Sequence, residues 1–316
     1  MFKYVVKRLL LALLTTFIIL SLCFILVKLL PLPPVIGNEA AVQIILARRE
    51  AMGYNKPIME QFFMFWKRIL TTFDWGLGEQ MYQTQSVAEV IGQKLPASVM
   101  INLYSLLISI PLGLLLGILA AVKKNKWQDH TISTAVMLVI SVPSFVYAFF
   151  IQYVFCYKLG WFPILASTDT NYFAPDVVWS LMPAVISLAF GTIAGFTRYT
   201  RAELSEVLTS EFMLLARTKG LTRRQATLRH ALRNSMVVIF PMILGEFISI
   251  LSGSLVIENI FSIPGIGNLY VMSINQRDYN FFMAISAFYT VIGLLAGIVI
   301  DLSYGFIDPR IRMGAK

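Results

Sequence analysis

Charge is scarce in this chain. Asp, Glu, Lys and Arg make up only 14% of its 316 residues against 57% hydrophobic, and the mean hydropathy is +0.72. A soluble domain carries about a quarter charged residues, so this chain lacks the polar side chains to cover itself in water. Cysteine and histidine are nearly missing too. The two cysteines, Cys23 and Cys156, lie in or beside apolar runs; they are too few for a disulfide framework and lack metal-ligand spacing. Two histidines, His130 and His230, leave little for a histidine-based zinc site. No Gly-x-x-x-x-Gly-Lys-Ser/Thr loop exists to cradle nucleotide phosphates, and no nucleophile–base constellation stands out. Repeats of 20–50 residues and low-complexity tracts are likewise missing. A soluble ATPase, a disulfide scaffold and a repeat array are therefore excluded.

What remains is apolar length. A hydrocarbon core about 30 Å thick needs about 20 apolar residues in a helix, and six runs qualify: 9–30, 97–122, 131–155, 181–199, 235–257 and 281–306. Backbone groups in lipid must pair within their own segment, so the expected fold is an all-α integral membrane protein with six transmembrane helices. The first run follows Lys3, Lys7 and Arg8 as a signal peptide would. It is too long for a signal core, however, and no small-residue cleavage site follows it; Leu22 also precedes Cys23 where a lipoprotein signal wants a small residue.

The net charge of +9 needs no nucleic-acid partner, because cytoplasmic loops collect Lys and Arg during insertion. Lys3, Lys7 and Arg8 lie at the N-terminus, and Lys123, Lys124 and Lys126 lie between the second and third runs. Eight basic residues fall between Arg198 and Ser235, and Arg310, Arg312 and Lys316 lie in the tail. The opposite short loops hold only Lys158 and Arg277. Both termini are thus expected in the cytoplasm. Residues 1–30 would form the N-terminus and first helix, 31–96 an extracytoplasmic segment, 97–306 a core with a cytoplasmic loop at 200–234, and 307–316 a tail. Within 31–96, residues 39–52 and 57–72 read as amphipathic helices on either side of a Gly53–Pro57 turn, forming a docking surface or a cap over the helix ends.

Three glycine pairs spaced by four, Gly113/Gly117, Gly191/Gly195 and Gly293/Gly297, predict close helix contacts. Prolines 111, 143, 183 and 241 predict bent or opened helices. Together they suit a polytopic transporter.

The loop at 200–234 has its own pattern. Leu204, Val207, Leu208, Phe212 and Leu215 follow helical spacing, Gly220 reads as a C-terminal stop, and Thr222-Arg-Arg-Gln225 opens a second short helix with a capping box. The result is a helix–glycine–helix elbow, stiff enough to transmit force.

The runs Glu211-Phe-Met-Leu-Leu-Ala-Arg-Thr-Lys-Gly-Leu221 and Leu228-Arg-His-Ala-Leu-Arg-Asn234 resemble the coupling loop of ABC importer permeases, in the peptide and nickel branch. The general family pattern is Glu-Ala-Ala, three residues, Gly, nine residues, Ile, one residue, Leu-Pro. Ala216, Gly220 and Leu232 match it; Leu214, Leu215, His230 and Arg233 depart from it, as in the peptide branch. Glu258-Asn-Ile-Phe-Ser-Ile-Pro-Gly-Ile-Gly267, Gln276-Arg-Asp278, Asp301-Leu-Ser-Tyr304, Asp308-Pro-Arg-Ile-Arg312, Leu159-Gly-Trp-Phe-Pro163 and Leu95-Pro-Ala97 resemble other segments of that branch. The resemblance covers nearly the whole chain, most weakly 31–94. It implies the type I importer permease fold in a bacterial inner membrane. The chain would be one half of a translocation path, paired with a homologous permease, two ATPase subunits and an extracytoplasmic substrate-binding protein. It would carry no cofactor, since Mg-ATP belongs to the ATPases. Glu211, Ala216, Arg217, Lys219, Gly220, Leu221, His230 and Leu232 would form the ATPase contact. The solute would be a peptide, or alternatively nickel, glutathione or another small solute. A secondary transporter or channel remains as a different class, but it gives no reason for the elbow.

Two acids lie inside the runs. A central carboxylate costs roughly 2.5–3.5 kcal/mol, while thirteen Leu, Ile, Val and Phe residues in each run return about 4–8 kcal/mol. Both runs can therefore insert. Glu246 shares a helix face with Ser249 and Gly253, with Ser252 alongside, and either lines the pathway or pairs with a neighbouring helix. Asp301 is expected to pair with a basic residue near the inner interface.

Overall fold

A computed structural model of the chain describes residues 2–307, with side chains described for residues 4–303. The chain is helical: α1 (Phe2–Leu29), α2 (Glu39–Ala51), α3 (Ile58–Thr72), α4 (Val87–Val122), α5 (Trp127–Ser141), α6 (Ser144–Ile151), α7 (Pro175–Leu208), α8 (Glu211–Thr218), α9 (Arg223–Ala226), α10 (Leu232–Ser249), α11 (Leu255–Ile260), α12 (Ile266–Asn275) and α13 (Tyr279–Ile307). Five stretches are long and apolar enough to cross a membrane: Tyr4–Leu29, Val87–Val122, Pro175–Leu208, Arg223–Ile260 and Tyr279–Ser303. A sixth crossing is counted when α5 and the helical stretch Ser144–Lys158 are taken together. The signature at 308–312 and the tail charges lie outside the described residues.

The third crossing is not the straight helix that its apolar run suggests. It bends by 98° between α5 and α6. Pro143 lacks an N–H and pushes the preceding residue out of helical conformation, so Val142 adopts φ −100°, ψ 127°. Pro111, Pro183 and Pro241, expected to bend or open their helices, lie inside α4, α7 and α10 without ending them. The fifth crossing is broken rather than continuous to residue 257. α10 ends at Ser249, a 3₁₀ turn covers Ile250–Ser252, and Gly253 at φ +62° interrupts the helix before α11.

Of the three glycine pairs, one makes the predicted contact within the chain. A Cβ on Gly113 would lie 2.7 Å from the Phe196 Cβ, and one on Gly117 would lie 2.5 Å from the Thr200 Cβ. α4 and α7 therefore pack backbone to backbone, and the Thr197 hydroxyl donates to the Gly113 carbonyl at 3.2 Å. Gly195, Gly293 and Gly297 face open space, and Gly191 faces only the Tyr147 hydroxyl at 3.5 Å. Among the described residues those two pairs bring no helix backbones together.

Both short helices expected in 31–96 form. Asn38 caps α2, its Oδ1 accepting from the Ala41 N–H at 2.7 Å. α3 lies along the flank of α1, with Phe62 and Trp66 against Phe17 (centroids 6.4 and 4.7 Å apart) and the Trp66 indole donating to Ser21 at 3.3 Å. The following loop is tied to the start of α13, because Asp278 Oδ2 accepts from the N–H groups of Glu79, Gln80 and Met81 at 2.8, 2.8 and 3.1 Å. Arg49 pairs with Glu79 at 2.6 Å. Burial pushes the Glu79 and Asp278 carboxyls up from the ordinary range, opposed by Arg49 at Glu79 and by the N–H donors at Asp278. The segment boundary drawn at residue 96 falls inside α4. At the other end of α1, Arg8 pairs with Asp301 at 2.6 Å and the Tyr4 hydroxyl donates to it at 3.3 Å, which is the pairing expected of that acid.

Candidate coupling elbow and polar cavity

The fourth crossing overshoots its apolar run, and α7 continues to Leu208. The Thr209 and Ser210 hydroxyls then bond back to the Glu206 and Val207 carbonyls at 2.9 and 2.6 Å, which competes with helix propagation. A new helix, α8, starts with a different phase. The apolar stripe expected on one helix is therefore split. Leu204 is buried on α7, Phe212 and Leu215 are exposed, and α8 buries Met213 and Ala216 in their place. Those two join Ala121, Leu204, Ala226 and Ala231 in a small core that seats α8 beneath the ends of α4 and α7.

The turn after α8 has the bonds that a glycine stop requires. The Gly220 N–H donates to the Arg217 carbonyl at 3.0 Å and the Leu221 N–H donates to the Ala216 carbonyl at 3.3 Å, the paired closure of a Schellman motif. Gly220 has φ +88°, where a side chain is disfavoured, and Leu221 packs into the same small core as Ala216. Thr222 then caps α9 as read from the sequence: the Gln225 N–H donates to Thr222 Oγ1 at 3.3 Å and the Thr222 N–H donates to Gln225 Oε1 at 3.0 Å. The second arm is nevertheless no separate short helix. A π-helical turn over Thr227–Ala231 carries α9 directly into α10. The elbow is thus the first part of a membrane crossing.

The eight residues read as the ATPase contact divide by position. Glu211, Arg217, Lys219, Gly220 and His230 are exposed, Leu221 and Leu232 are half-buried, and Ala216 is buried. Ala216 holds the elbow's shape from inside. Within the same 211–234 stretch, Leu214, Leu215 and Leu228 are 64, 56 and 56% exposed and lie beside them. The sequence reading missed Asp129 in the first turn of α5, fully buried and held by both Nε and Nη2 of Arg201 on α7, the latter at 2.9 Å.

The residues read as pathway-lining come together. Glu246, Ser249, Ser252 and Gly253 share a cavity of about 250 Å³ with Asn102 and Ser105 of α4 and Thr192 of α7. Ser252 and Gly253 reach it from beyond the end of α10, so helical spacing accounts only for Glu246 and Ser249. Among the described residues no Lys or Arg pairs with Glu246; its carboxylate accepts from Ser249 on its own helix at 3.3 Å. Asn102 steadies the break beyond α10 by donating to the Ile250 carbonyl at 3.4 Å.

Below that break lies a buried knot. Glu258 is fully buried. Its Oε1 accepts from the Ser98 hydroxyl at 2.8 Å and the Ser254 N–H at 3.1 Å, and its Oε2 accepts from the Asn268 N–H at 3.1 Å. Ser98 Oγ in turn accepts from the Ile266 N–H at 2.8 Å. A carboxylate at the start of α12 suits the positive end of that helix, and the knot joins α4, α11 and α12. Gly265 has no Cβ because one would collide with Glu258 and Ser98.

Residues 113–313 match the family model described as binding-protein-dependent transport system inner membrane component, and residues 1–102 match its N-terminal companion. Curated relatives align end to end. The dipeptide transport system permease protein DppB of Lactococcus lactis subsp. cremoris is 35% identical over 99% of this chain and 100% of its own length. The oligopeptide transport system permease protein OppB of Haemophilus influenzae is 32% identical over 99 and 100%, and the glutathione transport system permease protein GsiC of Escherichia coli K12 is 32% identical over 99 and 99%. With both family models matched in chain order and relatives aligned from end to end, this chain belongs to the family of inner-membrane components of binding-protein-dependent transport systems.

Proposed function

We propose that the chain is one of two permease subunits of an ATP-driven peptide importer, with both termini in the cytoplasm. The observation that carries this reading is the elbow. A rigid, glycine-turned bend exposes charged and apolar side chains on one side and runs without interruption into a membrane helix on the other. An ATPase that grips such a bend moves the helix with it, and ATP binding shifts the population between inward-open and outward-open states through that differential contact. Hydrolysis takes place on two separate ATPase subunits. A homologous permease completes the path, and an extracytoplasmic binding protein delivers the solute. Full-length likeness to permeases named for dipeptides, oligopeptides and glutathione supports a peptide or peptide-like solute.

Affinity purification of the intact assembly followed by mass spectrometry is expected to recover two ATPases and a second permease. Transport of a labelled peptide without any ATP-hydrolysing subunit would overturn the proposal.

Glu246 faces the polar cavity without a cationic partner, which suits it to meet the cationic or polar groups of a passing peptide. Glu246→Gln is expected to reduce uptake at least fivefold with normal assembly. Unchanged uptake would remove Glu246 from the pathway.

A further inference from the structure

On the side of the molecule where α1 ends, α1, α2, α3 and the start of α13 line a partly open cavity of about 170 Å³. That volume corresponds to about five water molecules, or one compact polar headgroup. Three cationic side chains reach its wall, Lys28, Arg48 and Arg68. Arg48 pairs with Asp74, whereas Lys28 and Arg68 have no carboxylate in ion-pair range among the described residues. The Lys28 ammonium sits 3.4 Å above the Tyr54 ring. Three cationic side chains converging on one cavity, two of them without a carboxylate in ion-pair range among the described residues, call for an anion.

Two observations favour a lipid over a soluble anion. An apolar groove of about 430 Å³ shares the wall residues Val27 and Tyr279 with this cavity and is lined by Leu26, Leu30 and Phe282. In addition, α3 leaves Met59, Phe63 and Leu70 exposed at spacings of four and seven, one apolar stripe on a helix that packs along α1. An apolar face continuous with a membrane helix belongs in the acyl region, and cations beside it belong at headgroup level.

We propose that this cavity binds the headgroup phosphate of an anionic phospholipid through Lys28, Arg48 and Arg68, with an acyl chain lying in the adjoining groove. The site anchors α3 and the 31–96 segment to the leaflet at the end of α1.

Native mass spectrometry of the purified assembly tests this, using phosphatidylglycerol, phosphatidylcholine of the same chain length, and inorganic phosphate as probes. One phosphatidylglycerol is expected to stay bound per chain, with at least tenfold weaker retention in the Lys28→Gln/Arg68→Gln double variant and little retention of phosphatidylcholine. Equal retention of the two lipids by the wild type would overturn the proposal and needs no variant that must fold. Equal retention of phosphatidylglycerol by the double variant would overturn it as well. Tight inorganic phosphate binding without lipid retention would assign the cavity to a free anion. Occupancy that depends on the extracytoplasmic binding protein would assign it to an acidic segment of that partner.

Discussion

Gly220→Val is expected to lower solute uptake about tenfold while the assembly still forms. Gly220 has φ +88° and closes the turn that joins α8 to α9. A left-handed conformation costs an L-residue about 1–2 kcal/mol, with β-branched side chains at the upper end. No heavy atom lies within 4 Å of the position a Cβ would take, so the penalty is conformational and not a clash. The turn escapes it by opening, which frees the Arg217 and Ala216 carbonyls and lets α8 swing away from its small core. A bend that yields at about 1.4 kcal/mol shifts the coupled population about tenfold. ATP hydrolysis should persist, because the ATPases are intact, while transport per ATP falls. Gly220→Asn supplies the control, since asparagine tolerates the left-handed region and should keep most of the uptake. Proteoliposomes measured for peptide accumulation and phosphate release together read both quantities. Wild-type accumulation in the valine variant would show that the bend does not carry the motion.

The membrane class and the elbow were legible in the sequence for different reasons. Apolar length is a local property, so the six crossings emerge from runs of residues, and Gly220 and the Thr222 capping box are read from a few neighbours. What sequence reading missed depends on partners far along the chain. The acid Asp129 finds Arg201 seventy-two residues later, and nothing near Asp129 announces it. The break in the fifth crossing is of the same kind. Gly253 stands in an apolar run that reads as continuous; it adopts φ +62°, and Glu258 and Ser98 crowd the position where a side chain would stand. The split at Thr209-Ser210 had a local cause, two hydroxyls in succession, and the apolar stripe obscured it. The prolines divide by context. Three of four sit inside continuous helices, which neighbouring helices can support around the missing hydrogen bond, and at Pro143 the helix ends and the chain bends by 98°.

Glu258→Ala is expected to be the most destabilising single change in the core. The carboxylate accepts from one hydroxyl and two backbone N–H groups in a site without solvent. Truncation leaves those donors buried and unpaired, at about 1–3 kcal/mol each, and removes the acceptor at the start of α12. A loss of about 3 kcal/mol or more follows, and the apparent melting temperature of the detergent-purified assembly should drop by about 6 °C or more, with lower yield. Glu258→Gln keeps the shape and one acceptor but turns an amide N–H toward a donor, so it should fall between the alanine variant and wild type. Ser98→Ala removes one hydroxyl that both donates to Glu258 and accepts from the Ile266 N–H, and should cost about 1–3 kcal/mol. Gly265→Ala tests the same knot from the opposite direction, adding a methyl where Glu258 and Ser98 already meet. If the Ser98 and Glu258 substitutions act through one network, the double variant loses less than the sum of the singles. Wild-type melting of Glu258→Ala, or strict additivity with Ser98→Ala, would mean that α11 and α12 are held in place by something other than this carboxylate.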